Sequence, residues 1–587
     1  MRCCSTFFAV FLVILNLVPA AVQAESTDKM PDTIQRYSAD RQALESTYPL
    51  HFSVARMERL RQFDRKTLAD LEGQKFSALT RSDQLDYLLL KNLVQGDLHD
   101  LDLTQQQRQS MLALLPFATS IEHIMEKKRL MQRPDAEATA AVLTDIVRSI
   151  EKAEADFDPQ RPSGVQKMSP VTANRAVGAV QEMRAALQQW FQEYNGYDPQ
   201  FTWWDVQPWN KADKALVDYA SFLKKSLVGI AADDRTTIIG DPVGRDALLK
   251  ELATENIPYT PEELIAIAQT EYDWCMQQMI VASREMGYGD DWHRAVEKVK
   301  TMHVAPGEQP ELIRKLVLEG TEFVKKNDLV TVPPLAEETW RMIMMTPERQ
   351  MVNPFFTGGP EISVSYPTNT MTYEQREMSM RGNNIPFAHA TAFHEMIPGH
   401  FLQFYMASRY HVYRAPFFTP FWVEGNALWW EMLFWDRGFD RTPEERVGAL
   451  VWRMHRSARI IFTMNFHLHH WTPQQCVQFL IDAVGFEPDN ATAEVRRSFD
   501  GSVGPLYQSA YLLGALQFRA LHHELVDSHI MTEKQFHDTV LQENAMPLAL
   551  LRAYLEKTPL NPDFKPEWKF YGDHPVHEAA RIAAEVK

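Results

Sequence analysis

Cysteine is scarce in this sequence. Four cysteines occur in 587 residues, and Cys3 and Cys4 lie at the very start of the chain. Only Cys275 and Cys476 remain in the body of the sequence, so a small fold held together by several disulfides is excluded. A chain of this length is long enough to be stabilised by a hydrophobic core instead.

An excess of positive charge is also missing. The 60 Lys and Arg residues are outnumbered by 77 Asp and Glu residues, which gives a formal net charge of −17 at pH 7. Nucleic acids and anionic membranes select basic surfaces, so we expect neither as a partner. The sequence also lacks a Gly-x-Ser-x-Gly elbow and a glycine-rich phosphate loop, which argues against the serine hydrolase and nucleotide-binding classes.

The first 24 residues have the pattern of a secretory signal peptide. Arg2 is followed by an apolar run over residues 7–17 and by Val22-Gln23-Ala24 before Glu25. The run is short for a membrane span, and both early cysteines precede it, so neither is placed as a lipoprotein acceptor. We predict a signal peptide over 1–24 and an exported protein, periplasmic or secreted, without stable membrane insertion after cleavage. The alternative is a retained membrane anchor.

Helical patterns dominate the rest of the chain. Apolar residues recur at spacings of three and four from about 37 to 228, and β-branched alternation is scarce. Thr260, Thr442 and Thr472 are each followed by Pro and, three positions on, by Glu or Gln, which is the pattern of a capped helix start. These features predict a mainly α fold.

One stretch breaks the helical pattern. Between about 330 and 386 the chain contains several prolines and the alternation Ile362-Ser363-Val364-Ser365-Tyr366, which predicts a short strand. We therefore expect a small β-sheet beside the helices. We divide the chain into an N-terminal helical region, 25–330, and a catalytic region, 331–587.

The chemistry centres on residues 393–400, Phe-His-Glu-Met-Ile-Pro-Gly-His. A His-Glu pair followed by a second His places two imidazole ligands and a general base in zinc peptidases. Their histidines are four apart, whereas His394 and His400 are six apart, about 600° of helical rotation. Pro398 and Gly399 favour a local distortion, so we predict a zinc-binding helix with two residues added as a bulge.

A second helix supplies carboxylates. Glu424 and Glu431 are seven apart in an apolar, aromatic segment, so both point to the same side. Burial of an uncompensated charge is too costly to be common, and a metal with its histidines would satisfy both groups.

These motifs resemble those of known families. The His-Glu pair with a distal Glu, and another Glu seven residues later, resembles the mostly helical zinc peptidases of the thimet oligopeptidase and thermolysin type. The Pro-Gly form of the motif, followed by Phe401-Leu402-Gln403 and the Glu-Gly segment, more closely resembles a bacterial family catalogued as domain of unknown function 885. The likeness is strongest over about 350–520.

The resemblance implies roles for the motif residues. His394, His400 and Glu424 are expected to bind one Zn²⁺ per chain, with Glu395 as the general base. Glu431 is expected to orient a ligand imidazole through its other nitrogen.

A further part of the resemblance lies after these helices. Arg459, His467 and Trp471 match the family's spacing, whereas Thr463 stands where the family has Asp. Tyr511 lies in a Tyr-x-x-Gly segment typical of the family, so Tyr511 and His467 are the candidates to stabilise an oxyanion; either could instead be a packed core residue.

The predicted strand has two readings. In peptidases of the resembled type, a sheet edge beside the zinc helix pairs with the substrate backbone, which would make Val364 and Tyr366 substrate-binding residues. The other reading is a small structural hairpin.

Together these residues predict an exported zinc peptidase that hydrolyses peptide bonds, in short peptides by analogy with the resembled enzymes. Two alternatives stay open. The same residues would serve a zinc hydrolase of another amide or ester, and the Pro398-Gly399 insertion could mark a non-catalytic periplasmic binding protein.

Overall fold

The computed structural model describes residues 29–159, 167–231, 234, 237–350 and 355–572. The predicted signal peptide over 1–24 lies outside these residues. The described chain is mainly helical, which confirms the predicted α class.

Up to Lys326, the described residues form helices and no strand. They are α1 (Met30–Thr47), α2 (Val54–Glu72), α3 (Arg81–Met111), α4 (Ala118–Arg129), α5 (Ala136–Phe157), α6 (Pro170–Tyr194), α7 (Pro199–Phe222), α8 (Arg245–Thr254), α9 (Pro261–Glu285), α10 (Trp292–Lys300) and α11 (Gln309–Lys326). Short 3₁₀ turns lie at Phe76–Ala78 and Leu112–Leu114, and α7 continues into a π-helical turn at Leu223–Val228.

The second part adds the two strands, β1 (Met342–Met344) and β2 (Ile362–Val364). Its helices are α12 (Pro334–Thr339), α13 (Pro347–Gln350), α14 (Tyr373–Gly382), α15 (Ile385–Glu395), α16 (His400–Ala407), α17 (Pro420–Asp436), α18 (Pro443–His467), α19 (Pro473–Val484), α20 (Pro488–Phe499), α21 (Tyr507–His522), α22 (Glu533–Glu543) and α23 (Leu548–Leu555). A 3₁₀ turn precedes α17 at Val412–Phe417, and a π-helical turn follows α21 at His523–Asp527.

The three helix starts predicted from the Thr-Pro pattern are all present. Thr260, Thr442 and Thr472 cap α9, α18 and α19, and each forms a complete capping box with the residue three positions on. The reciprocal hydrogen bonds satisfy backbone amides that the first turn of a helix would otherwise leave unpaired.

The hydrophobic core has several clusters. One cluster lies within the N-terminal helices, between Leu50 and Ile230. A larger cluster runs from Met30 to Phe570 and includes the helices that carry the zinc motif, so buried packing continues across the predicted region boundary at 330/331. Cys275 and Cys476 are both buried and are not paired.

Helices α17 and α21 cross in close contact. A Cβ on Gly425 would come within 2.5 Å of the Cα of Gly514, and a Cβ on Gly514 would come within 2.1 Å of the carbonyl oxygen of Phe421. Only glycine allows the two backbones to approach this closely. The crossing brings Glu424 of α17 against the first turn of α21.

The two strands form a parallel pair. Met342 is opposite Ile362, and Met344 is opposite Val364. Thr357 pairs with Ser363 on the other side of β2, in antiparallel orientation. The strand predicted at 362–366 is therefore confirmed over 362–364, and it lies between two neighbours.

Within the part of the chain that the structure describes, no helix is both long enough and apolar enough to span a membrane.

Candidate metal centre

The zinc motif lies at a break between two helices. Helix α15 ends at Glu395, residues 396–399 are not helical, and α16 begins at His400. The predicted single helix with a bulge is therefore wrong. Pro398 has no amide to donate, and the amide of Gly399 donates to the carbonyl of Phe393 at 3.0 Å, so the chain turns into a new helix.

The break brings together the three predicted ligands. One side-chain ligand atom from each of His394, His400 and Glu424 lies within 4.8 Å of the others. Oε2 of Glu424 is 3.7 Å from Nε2 of His394 and 3.1 Å from Nε2 of His400. All three residues are buried, at 1%, 7% and 6% exposure. Two imidazoles and a carboxylate that converge in this way fit the protein ligands of a catalytic zinc site.

The other nitrogen of each imidazole also has a partner. Oε1 of Glu431 lies 2.6 Å from Nδ1 of His394, which is the position that the orienting role of Glu431 requires. Nδ1 of His400 lies 3.2 Å from Oε1 of Gln403, a contact that the sequence did not assign. The Gln403 amide in turn donates to the carbonyl of Val423 and to Oδ1 of Asn426. Both Nε2 atoms are thus left to face Glu424.

The imidazoles and carboxylates of the centre stabilise one another's charged forms. Burial alone would lower the pKa of His394, but Glu424 and Glu431 raise it to about 9. Burial would raise the pKa of Glu424, but the imidazoles of His400 and His394 hold it well below its usual range. The Glu424 carboxylate is therefore ionised.

Glu395 is held beside the ligands. Its Oε1 lies 4.0 Å from Nε2 of His394, and its Oε2 accepts a hydrogen bond from the backbone amide of Gly358. A Cβ on Gly358 would come within 2.2 Å of the Glu395 carbonyl oxygen, so only glycine fits at this position.

Helix α21 contributes two tyrosines. The ring of Tyr511 stacks on that of His394, with centroids 6.3 Å apart. The hydroxyl of Tyr507 donates to Oε1 of Glu424 at 2.5 Å, a role that the sequence did not assign. Burial, together with the nearby Glu424, raises the pKa of Tyr511, so its hydroxyl is a proton-bearing donor at neutral pH. Tyr507 lies four residues before Tyr511 and therefore on the same face of α21. This spacing could have identified Tyr507 as a site residue from the sequence.

His467 lies elsewhere. It is the last residue of α18, and its ring contacts Phe466 and Phe499 rather than the metal ligands. Burial lowers its pKa to about 4. Neither ring nitrogen has a hydrogen-bond partner among the described residues. The structure does not bring His467 to the cavity at the metal centre, which leaves Tyr511 as the candidate to stabilise an oxyanion.

The predicted substrate-binding strand is not a free edge. The amide and carbonyl of Ser363 both pair with Thr357, while Val364 is buried and its carbonyl accepts from Met345. The amide of Tyr366 donates to Gln350. The proposed edge at Val364 and Tyr366 is therefore wrong, because alternation predicts a strand but not its neighbours. The segment that faces the centre is 355–358.

The ligands open onto a cavity of about 380 Å³. One wall carries His394, Glu395, His400 and Glu424, together with Tyr507 and Tyr511. The other charged groups that line the cavity are four arginines, none of them predicted as a site residue: Arg349, Arg456, Arg459 and Arg497.

Comparisons with known proteins give a family and a fold. The model of a family described as bacterial protein of unknown function (DUF885) matches residues 41–555. A "putative lipoprotein of unknown function" from Shewanella oneidensis is similar in structure, with a TM-score of 0.66, 16% identity, and 90% of this chain and 100% of that chain covered. A putative lipoprotein from Colwellia psychrerythraea is also similar, with a TM-score of 0.55, 16% identity, and 90% and 97% coverage. No curated protein matches this sequence.

Proposed function

The chain belongs to the DUF885 family of bacterial proteins of unknown function, and we propose that it is an exported zinc peptidase. The observation that carries the proposal is the convergence of His394, His400 and Glu424 beside Glu395. The resemblance of these motifs to helical zinc peptidases gives the reaction class.

The residues present fit a zinc ion. Two imidazole nitrogens and one carboxylate oxygen are the donors that zinc prefers, and a partner on the far nitrogen of each imidazole fixes its orientation. We propose that His394, His400 and Glu424 hold one Zn²⁺ per chain. When bound, the ion would supply Lewis acidity that lowers the pKa of a water molecule and polarises a substrate carbonyl.

Glu395 is the proposed general base. The Gly358 amide holds one carboxylate oxygen, and the other points toward the ligand nitrogen of His394. The free oxygen can accept a proton from an attacking water, and the resulting acid can donate that proton to the leaving amine.

The tyrosines of α21 have different proposed tasks. The Tyr511 hydroxyl, beside His394, donates to the substrate oxygen as it becomes negatively charged. Tyr507 donates to Glu424 and fixes the orientation of that carboxylate.

Two further features support peptides as substrates. Segment 355–358 lines the cavity next to Glu395, and we propose that its backbone, rather than that of β2, pairs with an extended peptide. Helices surround the cavity, which favours short peptides over folded proteins.

Export is supported by the predicted signal peptide and by the titles of the two similar structures, which call those proteins putative lipoproteins. We propose a location in the cell envelope or outside the cell.

Product mapping by mass spectrometry tests the proposal. A mixed peptide library is incubated with the zinc-loaded mature chain and, in parallel, with Glu395→Gln. We expect cleavage by the wild type and a rate lower by about 10²- to 10⁴-fold in the variant, which retains its zinc. Glu348→Gln, an exposed residue outside the cavity, is the matched control. Zinc-loaded wild type that cleaves esters or other amides but no peptide would contradict a peptidase.

A further inference from the structure

Three arginines gather around Tyr511. The guanidinium carbon of Arg459 lies 4.3 Å from the ring centroid of Tyr511, and that of Arg456 lies 5.0 Å from it. Nη2 of Arg497 is 3.4 Å from the Tyr511 hydroxyl. Because Tyr511 also stacks on His394, the positive groups lie directly beside the metal ligands.

Within the described residues, carboxylates balance only part of this charge. Glu494 accepts a hydrogen bond from Nε of Arg459 at 2.7 Å. Glu431 lies 3.6 Å from Arg456, but it is also the partner of His394. For Arg497, no carboxylate among the described residues lies within ion-pair distance, and its hydrogen-bond partner is the neutral Tyr511.

Donor groups in this cluster remain unused. Arg456 and Arg459 are each 4% exposed, and both line the cavity. Nε of Arg456 and Nη1 of Arg459 are buried without a hydrogen-bond partner among the described residues. Burying positive charge without an equal number of carboxylates is costly, so the cluster is favourable when a ligand in the cavity supplies negative charge.

We propose that this arginine cluster, Arg456, Arg459 and Arg497, binds a carboxylate of the substrate next to the bond that is cleaved. This inference rests on the proposed peptidase function and adds its substrate class. The fork of a guanidinium matches a carboxylate, and a hydrogen bond to a charged group is stronger than one between neutral groups.

The position of the cluster favours the carboxyl terminus of a peptide. Arg456, Arg459 and Arg497 line the cavity beside the metal ligands, so the negatively charged carboxyl end of an extended chain would be attracted to them. A protonated amino terminus would be repelled there. The chain would accordingly remove residues from the carboxyl end of its substrates. An acidic side chain near the cleaved bond is the other source of the same carboxylate.

Matched peptides separate these sources. N-acetylated hexapeptide libraries are prepared with a free carboxyl terminus, with a carboxamide, and with a carboxamide after a final Glu. We expect kcat/KM for the free acids to exceed that for the plain amides by about 10- to 100-fold, mainly through KM. Equal values for acids and plain amides would overturn the inference while leaving a peptidase in place. Restored cleavage of the Glu amides would support carboxylate binding and assign it to a side chain.

Substitutions test whether the arginine cluster causes the preference for free-acid peptides over amides. In Arg497→Gln the ratio of acid to amide should fall to within about threefold, with zinc content unchanged, whereas Arg497→Lys should keep part of it. Arg496→Gln is the control, since Arg496 is the preceding residue of α20 and does not line the cavity. An undiminished ratio in Arg497→Gln would overturn the role of the cluster.

A binding measurement distinguishes failure of this inference from failure of the peptidase proposal. Zinc-loaded Glu395→Gln is titrated by calorimetry with the free-acid and amide libraries. Tighter binding of the acids supports the cluster even if the wild type cleaves no peptide. No preference, or no binding of either library, overturns it.

Discussion

The two polar walls of the cavity differ in how their charges are satisfied. On the metal wall, both imidazoles have an acceptor at Nδ1 and face Glu424 with Nε2, and Glu424 also accepts from Tyr507. On the arginine wall, Glu494 accepts a hydrogen bond from Nε of Arg459, and other buried guanidinium donors have no partner among the described residues. The charges of the first wall are satisfied within the described residues, as the proposed zinc site requires, whereas the second wall keeps positive groups that the proposed substrate carboxylate would pair with.

Among the substitutions that distinguish the two walls, we expect the largest effect on activity at Tyr511, which contacts residues of both. Tyr511→Phe removes the proposed donor to the oxyanion but keeps the ring between His394 and the arginines. We expect kcat to fall by about 10²- to 10³-fold with little change in KM or zinc content, measured by steady-state kinetics and metal analysis. A fall in zinc content instead would show that Tyr511 supports the metal ligands rather than the oxyanion.

Substitution of Glu431 tests whether the contacts behind the ligand imidazoles strengthen zinc binding. Glu431→Gln replaces the carboxylate 2.6 Å from Nδ1 of His394 with a neutral amide, and zinc affinity should fall by about 10- to 100-fold. Competition with a chelator measures the change. Tyr507→Phe, which removes the hydrogen bond to the ligand Glu424, should weaken zinc by no more than this range. An unchanged affinity in Glu431→Gln would contradict the orienting role.

His467 provides a comparison outside both walls. Burial lowers its pKa from 6.5 to about 4, so the folded chain holds it neutral. Below pH 6.5 the unfolded chain binds a proton at His467 that the folded chain does not bind. The free energy of unfolding is therefore unaffected by this group above pH 6.5 and falls by up to about 3 kcal/mol as the pH is lowered toward 4. In zinc-free His467→Leu, the free energy of unfolding should therefore fall less between pH 6.5 and 4 than in the wild type.

Urea unfolding at several pH values measures this difference, with the exposed His470→Gln as control. The zinc-loaded His467→Leu variant should lose less activity than Tyr511→Phe. An equal loss of kcat would indicate that His467 takes part in catalysis.

Short-range sequence patterns predicted much of this molecule. Helix class and the capped starts at Thr260, Thr442 and Thr472 depend on neighbouring residues, and they agree with the structure. The residue types in the His-Glu motif and the seven-residue spacing of Glu424 and Glu431 were enough to select the groups that converge.

Features that depend on distant contacts were not predictable in the same way. Counting helical turns from His394 to His400 assumed one helix, but the break before Pro398 makes that count irrelevant. Alternation located β2, but Thr357 occupies its second edge. Arg456 and Arg459 of α18 meet Arg497 of α20 at Tyr511, a contact that depends on the tertiary fold, and arginine in a sequence is more often a surface residue.

Anomalous diffraction at the zinc absorption edge, from crystals of the zinc-loaded mature chain, tests the central claim most directly. We predict one strong peak per chain, within bonding distance of His394, His400 and Glu424, and its loss in Glu424→Ala. A peak at other residues, or none in the wild type, would contradict the metal centre on which the proposed peptidase depends.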